Sequence, residues 1–231
     1  GTRDIAVTIN DGATDGPPAI ASISVKEQAV EFLVIADVPY GDNDFLVLED
    51  VLSNVSPDMD FVVHLGDIKG GGSTVDPTIY FPQVADTLKI SSQPLFIVLG
   101  DNEYNDMPDP DAALAEWMED FLYFDQNWNH DLGVMYQEIR PENFSFVIDQ
   151  TLFVGLNLVG STVHDANEWA TRSADDLVWV EDMFSQFGTA VNNAVFFAHA
   201  APSLAGYETF EAGFIAAAQD FDKPILYLQG D

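Results

Sequence analysis

Five apolar runs in this 231-residue chain each stop on a side chain that can hold a metal ion. FLVIAD ends at Asp37, FVVHLGD at Asp67, LFIVLGD at Asp101, AVFFAH at His199 and ILYLQGD at Asp231. Runs this short, rich in Val, Ile and Phe and nearly continuous in apolar character, read as strands buried on both faces, the pattern of a sheet covered by helices. In an open parallel sheet, ligands bind in the crevice beyond the carboxyl ends of the strands. One buried strand followed by Asp is ordinary turn chemistry. Five of five points to a site.

Helical stretches separate the runs. Residues 44–55 carry Phe45, Leu48, Val51 and Leu52 at helical spacing, 77–90 opens on a proline, and 111–123 follows Pro110-Asp111. Strands are predicted within 24–36 and at 60–65 and 94–99. Residues 143–148 and 151–158 predict a β-hairpin around Asp149-Gln150. Downstream, 174–187 predicts a helix with Leu177, Val180, Met183, Phe184 and Phe187 on one face, followed by strand 194–199, helix 211–220 and strand 224–229. A βαβ half, a hairpin and further βα units predict an α/β fold with two sheets and outer helices. Residues 1–22, with Asp11-Gly12 and Gly16-Pro17-Pro18, read as a polar lead-in holding one candidate strand at 5–9; 23–231 reads as a single domain.

Composition narrows the partners. Seven Lys+Arg against 39 Asp+Glu give a net charge of −32. Nucleic acid and anionic membranes both need a basic face, so neither is expected as a partner. Most of this charge reads as a solvating acidic surface suited to high salt, and only a handful of carboxylates as a site. The sequence has no Cys, which rules out disulfides and thiolate ligands and leaves oxygen and imidazole donors. No run of 18 apolar residues is present, so no membrane-spanning helix is expected. The start at Gly1-Thr2, with no basic or apolar leader, reads as a processed form or a fragment from which any export signal would already be gone. Neither a Gly-x-x-x-x-Gly-Lys-Ser/Thr loop nor a Gly-x-Ser-x-Gly elbow occurs.

If their strands are neighbours, Asp37, Asp67 and Asp101 share one crevice. Three ionised carboxylates cannot do so without strong repulsion unless they bind protons or a cation. Hard oxygen donors suit Mg²⁺, Mn²⁺ or Ca²⁺, and His199 brings Fe and Zn²⁺ into range. Two such ions would clamp a phosphoryl group and activate a water.

The order of these blocks resembles the calcineurin-like metallophosphoesterases. Asp37, Gly66-Asp67, Gly100-Asp101-Asn102-Glu103, His199 and Gly230-Asp231 follow that family's Asp-x-His, Gly-Asp-x-x-Asp, Gly-Asn-His-Glu/Asp, lone His and Gly-His-x-His, across residues 32–231. ADVPYGD, HLGDIKGGG and LGDNEYND look like an uncharacterised bacterial branch. The resemblance implies an αββα sandwich of two mixed sheets flanked by helices, a centre of two divalent ions with Mn²⁺ or Mg²⁺ favoured, and hydrolysis of phosphate esters. It places Asp37, Asp67, Asp101, His199 and Asp231 on metal, with Asp67 bridging. Pro39 stands where the first block has His. Asp101 stands for the metal-binding Asn, Asn102 for the phosphate-contacting His, and Asp231 for the first His of the last block. The second His of that block falls beyond the chain, which therefore reads as truncated at its carboxyl end.

Around this framework, Lys69 and Asn102 are expected to contact phosphate, with Arg172 and Tyr40 as further substrate contacts. Arg172 is placed just ahead of the helix from Ala174, where an anion is stabilised. Glu103 is expected to orient its neighbours, and His64 to be a core histidine or a support for the ligands. His130 and His164 are expected in solvent, and Asn157 on an edge strand. The expected partner is a phosphorylated small molecule, with no partner protein evident. Two other readings stay open: a family member that binds a cation or phosphate without turnover, and an acidic structural domain whose strand-end Asp residues cap turns.

Overall fold

Phenylalanine divides this molecule into layers. The computed structural model describes residues 21–22, 30–161 and 163–230. Its first sheet has the order β1-β2-β3-β4, formed by Ala21–Ser22, Phe32–Ile35, Phe61–His64 and Leu95–Ile97. β1 runs antiparallel to β2, while β2, β3 and β4 are parallel. The second sheet has the order β5-β6-β7-β8-β9, from Met135–Tyr136, Phe144–Ile148, Thr151–Gly155, Asn193–Ala198 and Ile225–Gln229. Its first three strands are antiparallel and its last three parallel. Both sheets are therefore mixed, and helices flank them.

Strand residues alternate between two cores, because successive side chains point to opposite faces. Phe32, Phe61, Phe96, Phe144, Phe146, Phe153 and Phe197 turn inward and meet between the sheets. The Phe32 and Phe61 rings stack at 4.9 Å, and Phe146 and Phe153 meet Phe61 edge-on at 5.1 Å. Such pairs add about 0.5–1.5 kcal/mol each beyond the burial itself. Their neighbours Leu33, Ile35, Val62, Leu95, Ile97, Leu152, Val154 and Phe196 turn outward to the helices. Those helices are α1 (Asp42–Ser53), α2 (Pro77–Leu88), α3 (Pro110–Phe121), α4 (Ala166–Phe187) and α5 (Glu208–Phe221). Burial on both faces explains why β2, β3, β4, β7 and β8 read as nearly continuous apolar runs.

Two elements depart from the sequence expectation. α4 begins at Ala166, two turns before the expected 174, because Asp165 caps it by accepting from the N–H groups of Asn167 and Glu168. Trp169 is its only large apolar residue before Leu177, too little to show a period. β5 lies between the elements expected at 111–123 and 143–148, and two residues cannot display alternation. The candidate strand at 5–9, residues 24–29 of the element expected within 24–36, and Asp231 lie outside the described residues. Among the described residues no helix is long and apolar enough to cross a membrane.

Most of the described basic residues bond within the fold. Of the five described, Lys69, Arg140, Arg172 and Lys223 all bind carboxylates or carbonyls of the fold, with Lys69 and Arg172 buried and Arg140 and Lys223 partly so. Lys89 pairs with Asp86 on the surface, a contact of little weight.

A polar network ties α4 to the second sheet. The Asn143 amide donates to Asp176 Oδ1 at 2.6 Å, and its oxygen accepts from the Asn157 N–H at 2.7 Å. Asp176 Oδ2 and Asn157 Oδ1 are buried without a partner. Burial pushes the Asp176 carboxyl up to about 8, although Arg172 and the Asn143 hydrogen bond pull it down. The fold therefore holds a proton there that the unfolded chain releases near pH 4. Stability from this group is full below pH 4, falls as pH climbs to about 8, and is flat above. Asp176→Asn keeps an acceptor for Asn143 and has no charge to bury. Its chemical-denaturation stability is expected to gain steadily on the wild type between pH 5 and 8, and a constant difference across that range would refute the assignment.

Candidate metal centre

Three of the candidate ligands leave the ends of buried strands. Asp37 follows β2, Asp67 follows β3, and His199 follows β8 of the other sheet, so the three meet at one rim of the sandwich. One ligand atom from each lies within 4.8 Å of the other two. Asp37 and Asp67 turn through left-handed backbone, with φ of 61° and 57°. Asp tolerates that region better than most residues, and the turn swings its carboxylate out of the sheet.

Two loops hold this geometry by touching backbone to backbone. A Cβ on Gly66 would stand 2.5 Å from the nitrogen of Gly100, and one on Gly100 would stand 2.0 Å from that of Asp67. Only glycine allows the approach. Glu103, fully buried, fastens the two loops by accepting from Gly100 N–H at 2.6 Å, Ile68 N–H at 3.1 Å and Asp67 N–H at 3.2 Å. Burial raises its carboxyl above the usual range, while the His199 charge and these N–H groups pull it back. Glu103 thus orients its neighbours.

His64 does similar work one layer back. It is fully buried, with Nε2 against the Val38 carbonyl at 2.8 Å and Nδ1 accepting from Gly66 N–H at 3.1 Å. Burial lowers it to about 4, so a neutral ring joins the two Asp-bearing loops.

His199 Nδ1 faces the Leu65 carbonyl at 2.8 Å, which fixes the ring and turns Nε2 toward Asp101 at 2.8 Å and Asp67 at 3.3 Å. A backbone acceptor on the far nitrogen is how ligating histidines are commonly oriented. Burial lowers the His199 pKa, but the Asp101 hydrogen bond and the charges of Asp67 and Glu103 outweigh it and carry it up to about 10. Gly230 packs against this ring, since a Cβ there would lie 2.6 Å from Nδ1.

Asp67 is buried beside Glu103 and Asp101, and burial first, then those charges, raise its carboxyl well above the usual range. The donor set is two carboxylates and an imidazole, compressed and negative. That chemistry fits a divalent ion such as Mn²⁺ or Mg²⁺, because a cation relieves the repulsion and accepts both donor types.

The other expected residues distribute unevenly. Asp101 contacts His199 Nε2 and stands outside the group of three. Asn102 donates its backbone N–H to Asp67 Oδ1 at 3.0 Å and its amide to Asp67 Oδ2. Lys69 is buried, its ammonium bonded to the Asn102 carbonyl at 2.8 Å and that of Gly70 at 3.1 Å. Desolvation lowers its pKa against the pull of Glu103 and Asp67. The Tyr40 hydroxyl reaches both Asp37 Oδ1 and Asp67 Oδ2 at 3.2 Å. Asp231 lies outside the described residues.

Arg172 is not brought to the centre. It sits inside α4, fully buried, with hydrogen bonds to Glu168, the Asn157 carbonyl and the Tyr207 hydroxyl, and its guanidinium lies 5.7 Å from the Tyr104 ring. Because the helix starts earlier than expected, Arg172 is not ahead of its N-terminus. Asn157 is likewise no edge residue: it follows β7, which lies between β6 and β8, and is buried. His130 is half-buried against Asp125 and not simply in solvent, whereas His164 is exposed as expected and contacts the Asn105 side chain. Sequence reasoning placed Tyr40 beside the crevice without its contact to two carboxylates, a contact that depends on how far apart β2 and β3 stand.

Gly100→Ala is expected to push the loops apart and to cost on the order of 3 kcal/mol. Thermal unfolding and metal titration of the variant would check this, and unchanged values would show that the close approach is dispensable.

A search among curated proteins gave no match. The family model for calcineurin-like phosphoesterase matches residues 30–222, which span β2 to the end of α5 and include Asp37, Asp67 and His199. Members of that family are in general metal-dependent hydrolases of phosphoesters. With the two mixed sheets, the helices around them and the donor set at their rim, the chain belongs to the calcineurin-like phosphoesterase family.

Proposed function

We propose that this chain hydrolyses phosphate monoesters or diesters of small molecules with a divalent metal, Mn²⁺ or Mg²⁺ before Fe, Zn²⁺ or Ca²⁺. The observation that carries the reading is the convergence of Asp37, Asp67 and His199 from the ends of three strands in two different sheets. Asp37, Asp67 and His199 would hold the ion, with Asp101 orienting His199 and Asp67 placed to serve two ions. Bound there, a divalent ion supplies charge neutralisation for the phosphoryl oxygens and a water acidic enough to attack phosphorus.

The protein's own part is positioning. Glu103, His64 and Leu65 hold the donors in place before any ligand arrives, and such preorganisation is where electrostatic catalysis gains most. Asn102 stands over Asp67, and a Cβ on Gly71 would come within 3.0 Å of its amide oxygen, so the glycine run leaves that side chain room. An amide donates a hydrogen bond to a phosphoryl oxygen but has no proton to give a leaving group at neutral pH. Esters with good leaving groups, such as aryl phosphates, are therefore the substrates of choice.

Asn102 also favours a second reading. Both its backbone N–H and its amide are engaged by Asp67, which suits a protein that binds a divalent cation or a phosphate ligand without turnover.

One experiment separates the two. Hydrolysis of an aryl phosphate and a bis-aryl phosphate is measured after chelation and after return of Mn²⁺ or Mg²⁺, with metal content determined in parallel. The enzyme reading expects loss and recovery of turnover, and a fall of 100-fold or more, about 2.7 kcal/mol, in Asp67→Asn. Metal bound without turnover selects the binding protein. Neither metal nor turnover in millimolar Mn²⁺ ends the enzyme and the cation-binding protein alike.

A further inference from the structure

Tyr40 stands where a metal ligand would stand. Its hydroxyl oxygen lies 3.2 Å from Asp37 Oδ1 and 3.2 Å from Asp67 Oδ2, two of the three grouped donors. Neighbouring oxygens around an octahedral ion are √2 bond lengths apart, about 2.9 Å for Mg²⁺ and about 3.3 Å or more for Ca²⁺. The Tyr40 oxygen sits at that spacing from both carboxylates at once. A second observation agrees. A hydroxyl has one proton, yet it faces two carboxylate oxygens, so once both carboxylates are ionised one of these contacts is oxygen against oxygen. A cation shared by the three oxygens satisfies all of them.

The placement is built. Tyr40 N–H donates to Asp44 Oδ2 at 2.9 Å in the first turn of α1, fixing the backbone of the residue. The ring lies over Gly70, where a Cβ would stand 3.7 Å from the Tyr40 Cβ and Cγ. Pro39, directly before it, offers no donor of its own.

We infer that Tyr40 is an oxygen ligand of the metal centre, a fourth donor beside Asp37, Asp67 and His199 that biases the site toward hard, oxygen-preferring ions. The inference rests on the metal reading of the site and goes beyond it. Tyr40 thereby belongs to the ion, and not to the substrate as the sequence alone led us to expect.

The test compares the wild-type chain with Tyr40→Phe, which keeps the ring over Gly70 and removes only the oxygen, and with Asp67→Asn as a control. Mn²⁺ affinity is measured by calorimetry, and chains loaded with iron and oxidised to Fe³⁺ are examined by visible absorption. Direct bonding of a tyrosine oxygen to Fe³⁺ produces an intense charge-transfer band that no carboxylate or imidazole gives. The expected result is a band in the wild type that Tyr40→Phe lacks, with Mn²⁺ binding weakened by about 10–100-fold in that variant, the scale seen when groups that merely support ligands are lost. Equal Mn²⁺ affinity in the wild type and Tyr40→Phe, or a wild type with no band, overturns the ligand assignment while leaving the metal site intact. A wild type that binds no Mn²⁺ overturns both.

Discussion

Glu103 is a fully buried acid, and the centre depends on how it is kept there. Its two oxygens accept from Gly100, Asp67 and Ile68, so one side chain fixes the exits of β3 and β4 relative to each other. Those exits carry Asp67, Asp101 and Asn102. The apposed glycines add a steric condition to the electrostatic one, since the loops meet at backbone distance. A buried acceptor left without its donors is costly, so the three N–H groups have little freedom to leave. The rigidity of the ligand cage thus begins one layer behind the ligands.

The phenylalanine layer between the sheets supplies the other half of that rigidity. Asp67 and His199 belong to different sheets, and their separation is set by how closely those sheets pack. Phe61 is two residues upstream of Val63 on the strand leading to Asp67, and Phe197 is two before His199. Both rings sit in the shared core, 6.2 Å apart. The two ligands are therefore positioned by the same contact that holds the sandwich together.

Much of this was legible in the residues. Continuous apolar runs marked doubly buried strands, and the acid or histidine at each run's end marked the side of the sandwich that matters. Gly66-Asp67 and Gly100-Asp101 announced tight turns, although not that each glycine is needed because the other is opposite. What stayed hidden depends on pairing between distant segments. The contact of Tyr40 with two carboxylates needs the register of β2 against β3. The interior place of Arg172 needs the true start of α4, and that helix's first two turns carry one large apolar side chain. Asn157 looked like an edge residue because nothing local says that β8 pairs with the far side of β7.

The inward commitment of the described basic residues has a consequence outside the fold. Lys69, Arg140, Arg172 and Lys223 are held by carboxylates and carbonyls of the fold, which leaves the exposed charge of the described residues almost all negative on a chain of net charge −32. A phosphorylated molecule nearing the rim is slowed by that field, whereas divalent cations are gathered by it. The field reaches roughly 8–10 Å in physiological salt and shrinks to about 3 Å in molar salt. Ionic strength thus acts as a throttle on encounter: a brine opens the door to anions, and fresh water closes it while crowding the threshold with cations.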